Sequence, residues 1–244
     1  MVVGKPPAAT VADAVRAHAD RLATPVRLAL LGPGQADLAA AVRGVLAALG
    51  VPAPVRWPQW TVAPAVPTPR PGALRGLYAG GSLCDEAMVI ASAALGPVAS
   101  NIPLRPQWRL AGPGPGTAGH WMLDLGDDGY TRGRPHPMID GGPRRDLLDA
   151  LAGDEQCAVV LLDVVLGHGA DPDPAATLAP AVAAARHRGA GRGLAVVVAL
   201  VGTRGDPQDL AAQAGALRAA GADVFAANAD AARHAVALAT GEPR

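Results

Sequence analysis

The clearest pattern along the chain is an almost unbroken apolar run, Ala158 to Leu166, which ends in the glycine turn GHGADPDP and is followed from Ala175 by an alanine-rich segment. A run without polar alternation, closed by glycine, reads as a buried parallel strand, a tight turn and a helix. The same rhythm recurs from Arg75 onward. Strands are expected near Leu77, Trp121 to Leu125, Val159 to Leu166, Leu194 to Val201 and Asp223 to Ala226. Helices are expected near Leu83 to Leu95, Arg145 to Leu151, Ala175 to Arg188, Pro207 to Ala220 and Ala229 to Leu238. Five alternating units predict an α/β fold over residues 75–240, a flavodoxin-like doubly wound parallel sheet. The stretch from Pro97 to His120, which contains GPGPGTAG, breaks the rhythm and reads as a loop able to fold over the ligand edge.

Two segments precede that domain. Residues 1–50 carry a strand end (Met1 to Val3), a helix (Ala8 to Leu22), a strand (Val26 to Leu31) and a second helix (Gln35 to Leu49). One full strand between two helices buries its faces poorly, so this segment reads as the tail of an incomplete α/β segment whose beginning is missing. Residues 51–74 are dense in proline, which removes backbone donors and fixes φ, and read as an extended linker. Trp57 and Trp60 are expected to pin it to a domain surface.

Composition narrows the function classes. Half of the residues are hydrophobic but only 3% are aromatic, so Ala, Val and Leu must pack the core. Lys+Arg and Asp+Glu balance at 21 each and no basic run exists, which argues against a nucleic-acid partner. Lys5 is the only lysine. Cys84 and Cys157 form neither a CxxC pair nor a disulfide framework, as expected of a reduced cytoplasmic protein. Asp163 interrupts the most apolar strand well short of membrane-spanning length, so no membrane partner is expected. No Cys or His cluster has metal-ligand spacing, and no metal site is expected.

In a doubly wound sheet, ligands gather at the carboxyl edge of the strands. Four turns expected there carry glycines and ionisable groups: GGSLCDEA, GRPHPMID, GHGADPDPA and GTRGDPQD. In the first, Gly80 and Gly81 permit a sharp turn, Ser82 can cap the helix, and the free amides at its start suit phosphate or carboxylate. Cys84 falls in the first helical turn, where a thiol pKa can be depressed. In the second, Arg132, Arg134 and His136 can clamp an anion. In the third, Gly167 and Gly169 flank His168, a candidate acid, base or phosphoryl acceptor, while Asp173 and Pro174 suit the cap and first position of a helix. Asp163 inside an apolar strand needs a partner, either a ligand or a neighbouring loop amide. In the fourth, Thr203 sits at the turn and Asp206 is expected to cap a helix beginning at Pro207.

At VVGKPPA, RGLYAGGSLCDEA, LDLGDDGYTRGRPHPMID, LLDVVLGHGADPDPA and LVGTRGDPQDLAAQ the chain resembles the FdrA family, relatives of the succinyl-CoA synthetase α-subunit within the acyl-CoA synthetase superfamily. The resemblance implies a ligase-CoA-like domain preceded by the tail of a CoA-binding-like or ligase-like domain. It implies a subunit of a cytoplasmic carbamoyltransferase system in ureide catabolism, passing a carbamoyl group between oxamate and carbamoyl phosphate. The partners implied are a small anionic substrate and other enzyme subunits. An acyl-CoA ligase subunit, with CoA as cofactor by family analogy, and a non-catalytic scaffold are the alternatives. In the synthetases a helix start like GGSLCDEA points at a phosphohistidine supported by a strand acid, for which Asp163 stands near. The loop that should carry that histidine is GTRGDPQ here and has none.

Overall fold

The computed structural model describes residues 1–5, 8–62, 71–110 and 118–241. Along the chain, β1 (Val2–Gly4), α1 (Ala9–Ala19), β2 (Leu28–Leu30) and α2 (Leu38–Ala48) come first, with β1 and β2 forming a two-stranded parallel sheet of their own. α2 begins where the Asp37 carboxylate accepts from the Ala40 amide, an N-cap that satisfies one of the unpaired amides of the first turn. Val2, Val3, Val11 and Val15 remain exposed, in keeping with the poor burial expected of so small a unit.

The proline-rich segment contains a short strand, β3 (Gln59–Trp60), which the linker reading did not foresee. Proline excludes a central strand but tolerates an edge. β3 pairs antiparallel at the rim of the main sheet, and Trp60 packs against its core.

From Ala73 the rhythm is regular: β4 (Ala73–Tyr78), α3 (Gly81–Leu95), β5 (Val98–Ser100), β6 (His120–Asp124), α4 (Asp128–Thr131), α5 (Gly142–Leu151), β7 (Cys157–Val165), α6 (Pro174–Arg188), β8 (Ala195–Val201), α7 (Leu210–Ala219), β9 (Asp223–Phe225) and α8 (Asn228–Thr240). The sheet order is β3-β9-β8-β7-β4-β6-β5, and every pairing except that of β3 is parallel. The stretch after Pro97 is thus not all loop: it begins with edge strand β5. Residues 111–117, including most of GPGPGTAG, lie outside the described residues.

Side chains alternate between two apolar layers. Val160, Leu162 and Val164 face the layer that holds Leu148, Leu178 and Leu217 of α5, α6 and α7. Val159 and Leu161 face the layer of Met88 and Ala235, from α3 and α8. Central β7 and β8 are buried on both faces, which is why they read as continuous Val/Leu runs. Helices on both faces of a mostly parallel sheet make this a flavodoxin-like doubly wound α/β fold. β4 leads to a helix on one face and neighbouring β7 to a helix on the other, so the order switches between them. The carboxyl ends of these strands therefore flank the crevice where such folds hold ligands.

Two helix starts differ from the sequence reading. α3 is capped by Gly80 and has no side-chain cap; Ser82 is its second residue, already past the position from which a hydroxyl caps. α7 is capped by Asp209, held at φ 58°, whose carboxylate accepts from Ala211 and Ala212. Asp206 instead accepts from the Thr203 amide and closes its own turn. The Asp173 cap and Pro174 start of α6 are as expected.

Candidate functional site

Asp163 lies at the switch between β4 and β7 and is completely buried. It shares the parity of Val159 and Leu161, so a carboxylate ends a column of aliphatic side chains. Its Oδ1 accepts from the Ala79 amide at 2.7 Å, the neighbouring-loop link that the sequence offered as one choice. Its Oδ2 is buried and accepts no hydrogen bond from the described residues. The counter-ion is Arg144 from the first turn of α5, with Nη1 at 3.3 Å from Oδ1 and a further bond to the Asp163 carbonyl. Arg144 Nη2 donates to the Pro137 carbonyl at 2.9 Å, tying the GRPHPMID turn to β7. Burial raises the Asp163 pKa to about 6 against the opposing pull of Arg144 and the Ala79 amide. Burial likewise lowers that of Arg144. The pair is thus costly to keep charged, as expected where desolvation competes with attraction.

The open Oδ2 faces the start of α3. A Cβ built on Gly80 would lie 3.9 Å from it and 3.4 Å from Met138 Cε. A Cβ on Gly81 would come within 2.7 Å of Asp124 Oδ2 and 2.6 Å of Lys5 Nζ, so only a glycine lets this carboxylate and this ammonium approach the start of α3 so closely. Asp124, at the end of β6, accepts from the Gly126 amide at 2.9 Å through Oδ1 and is fixed by paired backbone bonds with Asn101. His136 stands beside it: a Cβ on Gly126 would lie 2.6 Å from His136 Nε2. Its Nδ1 accepts from the Met138 amide at 3.2 Å.

Gly80, Gly81, His136 and Asp163 are therefore brought together, with Ser82 in the same first turn of α3. The other candidates are not part of this cluster. Arg132 and Arg134 are exposed. His168 is exposed, in a turn whose flanking Gly167 (φ 141°) and Gly169 (φ 84°) both take positive φ. Gln208 clamps the Gly167 backbone through both its amide and its carbonyl. Thr203 is exposed and accepts from Gly205 within its own turn. Cys84 also departs from expectation: its thiol pKa is pushed up, not down, by complete burial and then by Asp124, Asp85 and Asp163.

Arg144, Asp124, Asp85 and Lys5 were missed. Arg144 precedes Arg145 near a helix start and reads as a solvated pair, while Lys5 belongs to a segment far away in sequence. The one available signal was Asp163 itself, a buried acid that required a cation.

The class defined by this doubly wound sheet with a helix start at its switch point is confirmed by sequence comparison. The chain belongs to the CoA-ligase family, whose profile matches residues 77–238. Among curated proteins, YahF of Escherichia coli K12 is 40% identical over 154 residues, 61% of this chain and 29% of YahF. The chain thus spans under a third of that relative's length. PH0766 from Pyrococcus horikoshii, a solved structure, superposes with a TM-score of 0.42 at 13% identity over 72% of this chain and 37% of that one. Among the described residues, no helix is long and apolar enough to cross a membrane and no group of acids, histidines and cysteines is arranged for a metal.

CoA is the cofactor that the family implies. An apolar cavity of about 230 Å³ between α2, Trp57 and the start of α8 lies at the same sheet edge, and among the described residues its only charged lining group is Glu86. This cavity by itself gives the phosphates of CoA no counter-charge, and no step below uses CoA.

Proposed function

We propose that this chain is an FdrA-like subunit that handles carbamoyl phosphate in exchange with oxamate. The observation that carries the reading is the buried, unshared Asp163 Oδ2 facing the amide-bearing start of α3. The site offers acceptor and donors side by side, which suits a ligand with an N–H at one end and an anion at the other. Carbamoyl phosphate is such a ligand. The helix amides hold its phosphoryl group and Asp163 accepts from its NH2, which orients the carbonyl carbon. In the transfer, the oxamate nitrogen bonds to that carbon as the C–O bond to phosphate breaks. Phosphate leaves with the electron pair, and the nitrogen gives its proton to a carboxylate. An acyl phosphate without N–H leaves Asp163 Oδ2 unpaired, a penalty of order 1–3 kcal/mol.

Calorimetric titration tests this reading. Carbamoyl phosphate should bind saturably, Asp163→Asn should weaken it by about tenfold or more, and Arg134→Ala should leave it within about threefold. Acetyl phosphate binding as tightly as carbamoyl phosphate, or indifference to Asp163→Asn, overturns it. Heat with CoA and an acid-labile phosphoprotein identify the acyl-CoA ligase alternative instead.

A further inference from the structure

A second opening of about 460 Å³ adjoins the first turn of α3, with Lys5, Asp85, Asn101, Leu104, Arg109 and Asp127 among its lining residues. Its chemistry differs from that of the Asp163 crevice. Two cations look into it. Lys5 follows β1, so the N-terminal segment supplies it, and its side chain, 57% exposed, brings Nζ to the start of α3 beside Asp85. Arg109 gives one N–H to the Asn101 carbonyl at 2.9 Å, which fixes the guanidinium while most of its donors stay available. Asn101 is itself locked to the Asp124 backbone. The cleft also contains Asp85, only 4% exposed, whose Oδ2 accepts no hydrogen bond from the described residues. Lys5 Nζ stands 3.8 Å from that oxygen, an ion-pair contact beyond hydrogen-bond reach.

A buried acceptor without a hydrogen-bond donor, set in a cleft with two cations, is mismatched to a plain phosphate, which would meet Asp85 and Asp127 as like charges. It matches a small molecule with a carboxylate at one end and an N–H at the other. We propose that this cleft binds the acceptor, a small carboxylate bearing an amide or amine N–H, with Lys5 and Arg109 on the carboxylate and Asp85 Oδ2 on the N–H. The identification of that acceptor with oxamate rests on the reading in the preceding section. Asp85 is then the carboxylate that takes the nitrogen's proton as the N–C bond forms and phosphate departs. The N-terminal segment, through Lys5, completes the site.

The test is titration of the whole chain with oxamate in the absence of carbamoyl phosphate, with pyruvate as the near-isostere that lacks N–H. Saturable oxamate binding is expected, weakened about tenfold or more by Lys5→Met and by Arg109→Ala, and kept within about threefold by Lys5→Arg. Pyruvate should bind about tenfold more weakly than oxamate, and Asp85→Asn should erase that preference. Oxamate binding indifferent to both cation variants overturns the proposal. If carbamoyl phosphate binds through Asp163 while oxamate gives no heat, the cleft assignment falls and the carbamoyl reading stands. The reverse result keeps the cleft and removes that reading. A folded chain that binds neither overturns both.

Discussion

At the scale of single residues, the site is defined by carboxylates held where ionisation is disfavoured. Burial raises Asp163 from 3.8 to about 6. Asp85 also rises to about 6, again by burial first, with Lys5 opposing and Asp124 adding. Because both folded-state values lie above the unfolded one, the native state keeps these protons longer than the unfolded chain does. The stability they contribute is complete below about pH 4 and is lost as pH rises through 6. For Asp163 the shift corresponds to roughly 3 kcal/mol at most. Urea midpoints measured from pH 4 to 7 should therefore fall as pH rises, Asp163→Asn should flatten that slope, and adding Asp85→Asn should flatten it further. A slope unchanged in both variants would mean that neither carboxyl titrates where the structure puts it. Of these residues, Asp163 was legible in the sequence because an acid inside VVLLDVV breaks a pattern. Arg144 and Lys5 were not, since neither the Arg-Arg pair nor the isolated lysine departs from what solvent-facing positions show.

At the scale of elements, apolar period and length were enough to find the five long helices of the main sheet and its central strands, but not the single turn of α4 or the edge strands β3 and β5, and terminal chemistry was not legible. The reading placed a cap on Ser82 and a helix start on Pro207, whereas the observed caps are Gly80 and Asp209. Each of these turns offers several capping residues in a row, and which one serves depends on contacts from other elements. Gln208 shows why. Almost fully buried at 6% exposure, it stands between the two possible starts of α7 and reaches across to the β7–α6 turn. It accepts from the Gly167 amide at 3.1 Å and donates to the Gly167 and Asp171 carbonyls at 2.8 and 3.1 Å. Two loops of the ligand edge are thereby held as one piece, a tertiary requirement that local propensity does not encode. Gln208→Ala should cost about 1–3 kcal/mol in chemical denaturation and should speed amide exchange at Gly167 far more than in β8. Equal protection of Gly167 in both proteins would show that the loops are held by something else.

At the scale of the whole molecule, the question is how a poorly buried N-terminal segment comes to deliver Lys5 to the main domain. The contact that holds it is polar and centred on Glu86, which is 2% exposed. Glu86 Oε1 accepts from the Leu38 amide at the start of α2 at 2.6 Å, and Oε2 accepts from Asn228 at 2.7 Å. Asn228 in turn donates to the Leu83 carbonyl and accepts from Tyr78 Oη, which ties β4, α3 and α8 into the same network. Asp37 adds an ion pair with the half-exposed Arg233, worth no more than about 1 kcal/mol in water. The buried carboxylate therefore dominates the junction, helped by the positive end of α2 that it meets. The first amides of a helix have no partner within it, so protection of the Leu38 amide reports on Glu86 directly. Glu86→Gln presents Asn228 Nδ2 with an amide N–H or deprives Leu38 of its acceptor. It should raise exchange at Leu38 by about tenfold or more while β7 stays unchanged, and Arg233→Ala should change it by less. If the N-terminal segment supplies Lys5 as proposed, oxamate affinity should fall in Glu86→Gln although Lys5 is intact. Exchange that rises at Leu38 without that loss would separate the docking of α2 from the placement of Lys5.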